Sequence, residues 1–385
     1  MDKIVEKTKL ISEIETNYLG KKKEIKPINN QLIRRNYGID LLKIISMINI
    51  INLHINKKSG LLKVKPGNPK YKQVYRLQAF SLWPVNVFGL VSGIISFRKY
   101  KFSNLIYIWF EYFFYSIFFS IYLYKRSLLD LRNLILSFFP IGIKRLWYFN
   151  AYFFMYLLLP FITNSINSLN KDLYTKLVFF FFSIYSFYHI VMDYNIRNTD
   201  FDFINKGYSS NWLTILYISG GYIGRFYLDK PFCSKITCLL TFLFASLISS
   251  EFIFYSLKKN NFPDKIFLQY FSPTIIIQAL SLIFFFLNIK LRKRLLIKLI
   301  LFLNPLNFNV TLIHMRIFSS KTSFILKFFK YIESLNPNYL FFKIYLLSAI
   351  IYLVCAIIDY FRYLLFKILH IRSLSIYIEN KIIKK

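Results

Sequence analysis

The chain has 385 residues, 56 % of them hydrophobic and one in five aromatic (44 Phe, 30 Tyr, 4 Trp), with a mean hydropathy of +0.42. That is more apolar surface than a water-soluble fold can hide, which excludes a cytosolic globular enzyme and points to a chain dissolved in lipid. The 51 Lys and Arg outweigh 18 Asp and Glu by +33. They sit between apolar blocks, as juxtamembrane cations facing lipid headgroups do. Nothing resembles a nucleic-acid module, so membrane lipids are expected partners and nucleic acid is not.

Residues 1–37 form a Lys-rich, polar segment without the apolar core of a secretory signal, so the first hydrophobic block is expected to stay in the mature protein. Apolar stretches long enough, or nearly so, to cross about 30 Å of hydrocarbon follow at 38–55, 77–97, 102–124, 146–166, 172–192, 210–228, 236–257, 270–290, 295–315 and 339–366. Blocks such as the one beginning at Phe179 do not alternate as barrel strands must, so these are helices. The expected fold class is all-α, a polytopic membrane protein with about ten transmembrane helices spanning 38–366. A charged cytoplasmic tail (1–37) would precede it and a basic tail (367–385) follow. Asn304-Pro305 interrupts the span at 295–315, where a broken or re-entrant helix is expected. Arg34-Arg35, Arg98-Lys99-Lys101 and Lys290–Arg294 favour a cytoplasmic N-terminus in a plasma membrane, although seven cations in the first loop pull the other way. Cys233, Cys238 and Cys355 form neither a disulfide framework nor a metal set, and read as small apolar fillers; no metal is expected.

Ionisable residues inside spans are costly in lipid and mark a bundle interior or wet cavity. The first span is the most unusual. Lys43 and His54 lie 11 residues apart, so they project from one helix face about 16 Å apart along the axis, and Asp40, one turn before Lys43, can pair with it. Two readings follow. A long acyl carrier fits this geometry, with its phosphates held by Lys43 and its extended arm running to His54, which can take a proton from a hydroxyl. Alternatively, Asp40 and Lys43 anchor the helix at the interface and His54 caps its outer end.

The segment from Arg35 through Gly38, Asp40 and Lys43 to His54 resembles the start of membrane-bound acyltransferase family 3 proteins. Their signature is a basic residue, ten intervening positions and a His. Val85–Gly93 resembles the family's Asn-x-Phe…Ser-Gly helix. Leu146–Tyr152, running on to Tyr156 and Pro160, resembles its Trp-Phe…Tyr…Pro helix, and Val310–His314 its Tyr-Leu-Ile-His segment. Lys43 stands where Arg is commoner, and Thr311 replaces a frequent Tyr.

The resemblance implies an acyltransferase that moves an acyl group, most often acetyl, from acetyl-CoA to a hydroxyl of a surface or lipid-linked carbohydrate. CoA would dock near Lys43 with Arg98 and Lys101 assisting, although a plain positive flank explains that pair nearly as well. His54 would serve as general base or transient acyl acceptor, with Asp40 grouped beside it among the catalytic residues. Glu111 could orient His54 or be a structural partner for a buried Arg or Lys. His314 would line the site by family position, and Trp147 and Tyr152 could stack on a sugar ring or belong to an aromatic belt. Among the other charged residues, Asp359 and Arg362 are spaced as a self-contained pair and Arg225 is expected to snorkel to the surface. Glu251, His189 and His370 are expected at the interface. The alternative is a transporter or flippase of lipid-linked saccharides, for which the repeated halves common in transporters are missing. A glycan polymerase ranks third, lacking a large Arg-bearing outer loop.

Overall fold

The computed structural model describes residues 35–96, 100–127, 129–141, 146–196, 204–228, 233–260, 266–320 and 322–383. Most of the expected tail at 1–37, and Arg98, lie outside them. Among the described residues the secondary structure is helical throughout. Nine helices there are long and apolar enough to cross a membrane. The protein is an all-α, polytopic membrane protein.

The first span is α1 (Tyr37–Lys58). The second, Tyr71–Ser96, is two helices, α2 (Tyr71–Ser81) and α3 (Pro84–Ser96), with Pro84 opening the second where a missing N–H costs nothing. Next come α4 (Phe102–Lys125), a short surface helix α5 (Leu131–Leu136) capped by the Asp130 carboxylate, and α6 (Trp147–Ser168). Helix α7 (Lys171–Phe182) runs through a π turn at Ser183–Tyr188 into α8 (His189–Ile196). After α9 (Ser210–Phe226) come α10 (Lys235–Asn260) and α11 (Pro273–Leu287). Helices α12 (Arg294–Leu303) and α13 (Asn307–Phe318) are joined by one 3-10 turn at Asn304–Leu306. Pro305 removes a helical donor there, so the expected broken helix is present. The chain closes with α14 (Ser323–Ser334), α15 (Leu340–Ile368) and α16 (Ile371–Ile383).

The tenth expected span, 210–228, is α9. Its 17 residues rise about 25 Å, short of the other nine. Its glycines let it press against α3: a Cβ on Gly220 would lie 1.9 Å from the Leu90 carbonyl oxygen, and one on Gly93 2.0 Å from that of Tyr217. Backbone contact this close is the usual route to tight helix pairing where lipid removes the hydrophobic drive. Large apolar side chains face outward, such as Phe161 and Phe179, each 74 % exposed, as suits a surface solvated by acyl chains.

Helix α1 sits at the centre, touching α2, α3, α11, α12, α13 and α15. Its Asn residues bind those neighbours. Asn52 donates to Ser81 Oγ and Asn56 to Gln78 Oε1, while Tyr345 Oη donates to Asn49 Oδ1 at 3.0 Å. The first two contacts run α2 antiparallel to α1.

Several local expectations change. Arg225 does not snorkel: its Nη1 donates to the carbonyls of Ile166, Asn167 and Leu169, supplying donors that the end of α6 lacks. His189 is 2 % exposed, with its ring 4.2 Å from that of Phe271, so it is core rather than interface. The stretch after 366 is helical, and α16 packs on α4, where Arg372 donates to Asn104 and Glu379 accepts from the Phe102 N–H. Glu251 pairs with Arg76 at 2.9 Å, both partly exposed, as an interfacial carboxylate should.

Candidate functional site

The α12–α13 break positions α13 alongside α1 in the same direction. Asn307 Nδ2 donates to the Lys43 carbonyl at 2.9 Å, Thr311 Oγ1 approaches Met47 Sδ at 3.0 Å, and His54 Nδ1 lies 2.8 Å from His314 Nε2. The ring centroids of the two histidines are 5.1 Å apart. His314 is fully buried, with its Nδ1 2.6 Å from the Val310 carbonyl and the edge of Phe318 against its ring. Helix α13 therefore follows the face of α1 that the Lys43–His54 spacing picks out, and it brings the last histidine of the family-like segment onto the first.

At the other end of this column Lys43 Nζ pairs with Asp40 at 2.8 Å. Asp40 is thus the partner of the cation that its spacing suggested, about four turns from the imidazole with which it was grouped as catalytic. Lys43 keeps 20 % of its side-chain surface accessible, against 6 % for Asp40, so the ammonium can still meet an anion.

Glu111 is held elsewhere. Its carboxylate lies 2.8 Å from Arg362 Nη1, and Arg362 also grips both oxygens of Asp359 through Nε (2.9 Å) and Nη2 (2.8 Å). Tyr115 Oη donates to Asp359 at 2.7 Å. The pair expected at Asp359 and Arg362 is present, with Glu111 as a third member from α4. All three side chains are almost fully buried, and buried charges persist only with such partners. Glu111 is thus paired with a guanidinium, which is the structural alternative for this residue.

Trp147 and Tyr152 are five residues apart on α6 and are linked through Tyr148, whose ring lies 5.5 Å from that of Trp147 and 6.2 Å from that of Tyr152. Trp147 stacks near Tyr270 (5.9 Å, 24°) and meets Tyr208 at 4.6 Å. Asn86 holds this group in place, donating to the Tyr270 carbonyl and accepting from Trp212 Nε1. Tyr152 lies between the rings of Tyr148 and Tyr156. Lys101 is exposed at the start of α4, and its carbonyl accepts from Tyr156 Oη at 2.8 Å.

A cavity of about 450 Å³ opens beside the histidine end of α13, lined by Tyr112, Leu146, Leu312, Met315, Arg316 and Ser319 among others. Arg316 Nη2 donates to Ser116 Oγ, and Lys58 Nζ lies 3.4 Å from Ser319 Oγ at its edge. None of the expected site residues is in its described lining, yet Tyr112, Leu146 and Met315 each adjoin one in sequence. Sequence reading passed over Arg316, although its place two residues after His314 was the available signal. Among the described residues no group of three His, Cys, Asp or Glu is placed to hold a metal ion. Comparison with known proteins finds no matching family model, no similar curated protein and no similar solved structure.

Proposed function

We propose that this protein is a membrane-embedded acyltransferase of the family 3 kind its sequence resembles, moving an acyl group, most simply acetyl, from acyl-CoA to a carbohydrate hydroxyl. One observation carries the reading: His54 pairs with His314 at 2.8 Å on the helix face that bears Lys43 three turns away. Ionisable side chains inside a bundle are rare and point to function, and a cation at the far end of the column of two adjacent imidazoles suits the phosphates of an extended carrier. Because α2 is antiparallel to α1 and α3 continues the same span, Lys101 comes at the Lys43 end of the bundle. That end would face the cytoplasm, where acyl-CoA is made, and the acceptor sugar would approach from the histidine end, past the Arg316 cavity.

Deletion of the protein should remove acyl groups from purified surface polysaccharide. His54→Ala should insert normally and transfer nothing; full activity in that variant refutes the proposed role. Lys43→Ala should raise KM for acyl-CoA with little change in kcat, the signature of lost ground-state binding, while Lys43→Arg should bind at least as well. A lipid-linked saccharide transporter would instead leave acylation intact on deletion and export no glycan.

A further inference from the structure

We propose that His314 is a positioning residue that fixes the proton of His54 on Nδ1 and leaves His54 Nε2 bare as the reacting atom. The chemistry of this inference rests on the acyl-transfer reading, while its proton placement does not.

The order of the protons follows from one fixed acceptor. A backbone carbonyl can only accept, so the 2.6 Å contact between His314 Nδ1 and the Val310 oxygen requires the proton on His314 Nδ1. A neutral imidazole carries a single N–H. His314 Nε2 is therefore a lone pair, and the 2.8 Å approach of His54 Nδ1 must be N–H donating to it. His54 then has its own proton on Nδ1 and a lone pair on Nε2. The opposite order would set two lone pairs against each other at Val310. Its full burial and the Phe318 ring hold His314 in place, so the anchor does not swing away.

In hydrolytic triads a carboxylate holds the base in its working tautomer; here a neutral ring takes that seat. As the acceptor hydroxyl oxygen attacks the thioester carbonyl carbon, its proton passes to His54 Nε2. The C–O bond forms, the C–S bond breaks, and the departing CoA thiolate takes the proton from Nε2 to leave as thiol. His54 returns to neutral with its Nδ1 proton in place throughout. A His54 protonated on Nε2 could not begin this cycle.

The full chain contains four histidines, His54, His189, His314 and His370, so nitrogen NMR of histidine-labelled protein in nanodiscs can resolve them, with His189→Gln and His370→Gln for assignment. The expected spectrum has protonated Nδ1 and bare Nε2 on both His54 and His314, with a coupling across the N–H···N contact. His314→Gln keeps an acceptor oxygen near the Nε2 position and should preserve the His54 tautomer. His314→Leu removes it and should let the proton move to Nε2. In acetyl-CoA assays His314→Leu should lower kcat by about 100-fold or more with KM for the donor within about twofold, and His314→Gln should recover most of the loss. A bare His54 Nδ1 in the wild-type protein overturns the proposal, as does unchanged kcat in a folded His314→Leu variant of an active enzyme. If the wild-type protein has the expected proton order and transfers no acyl group to any glycan, the acyl-transfer reading falls and the proton placement stands.

Discussion

The Glu111–Arg362–Asp359 cluster separates a structural carboxylate from a catalytic one. Two carboxylates share one guanidinium through contacts of 2.8–2.9 Å, with side-chain exposures of 6 %, 0 % and 1 % for Glu111, Asp359 and Arg362. Counted formally the trio carries −1. Arg362→Met takes it to −2 with no cation between the two acids, and breaking such a buried pair costs about 3–5 kcal/mol. Glu111→Gln moves it the other way, to zero, and keeps an amide oxygen for Arg362, so the expected cost is under about 1 kcal/mol. Neutralising all three positions together (Arg362→Met, Asp359→Asn, Glu111→Gln) should recover much of the Arg362→Met loss, because no stranded charge is left. Unfolding in mixed micelles of rising denaturing-detergent fraction ranks the four proteins. Glu111→Gln costing as much as Arg362→Met would refute this reasoning. Glu111→Gln that folds normally and transfers no acyl group would return Glu111 to the chemistry.

Two further predictions concern the scaffold. At Gly220 an added Cβ must retreat about 1.5 Å, from 1.9 Å to an ordinary 3.4 Å contact with Leu90, so Gly220→Ala should cost about 1–3 kcal/mol despite alanine's better helix propensity. Gly93→Ala forces the same two helices apart, and a double-mutant cycle between them should be markedly non-additive; simple addition would disprove a shared contact. Arg225→Ala leaves the last α6 carbonyls without their donor and should lower stability by about 1–2 kcal/mol, read in the same unfolding assay. Arg225→Lys, whose ammonium also carries three donors on one nitrogen, should recover most of it.

Much of the fold was legible because lipid imposes one simple rule, a long apolar run for each crossing. Elements outside that rule were not. Helix α5 has six residues, α14 is amphipathic and α16 is 13 residues long with Arg372, Glu379 and Lys381 along it, so none presents a run that reads as a span. The 100° step per residue was enough to align Lys43 with His54 on one face of α1. The i, i+3 spacing likewise identified Asp359 with Arg362. What spacing cannot give is a partner from another helix. His314 reaches His54 across 260 positions, Glu111 joins a pair on α15, and Arg225 finds the end of α6, each through a packing that no single periodicity encodes. For His314 only family-like position offered a clue, and it suggested contact with substrate rather than with the other ring.

The dispersal of α1's partners along the chain has a consequence for biosynthesis. This helix leaves the ribosome before the other described spans, with Asp40, Lys43, Asn49, Asn52 and His54 on it. Ser81 arrives soon afterwards, but Asn307, His314 and Tyr345 emerge only after roughly 250 further residues. Until then the nascent first helix is a poor solute for the bilayer, and an insertase or the translocon wall must shelter it. Truncation after α11 should leave it the segment most readily extracted by carbonate or seized by quality-control proteases.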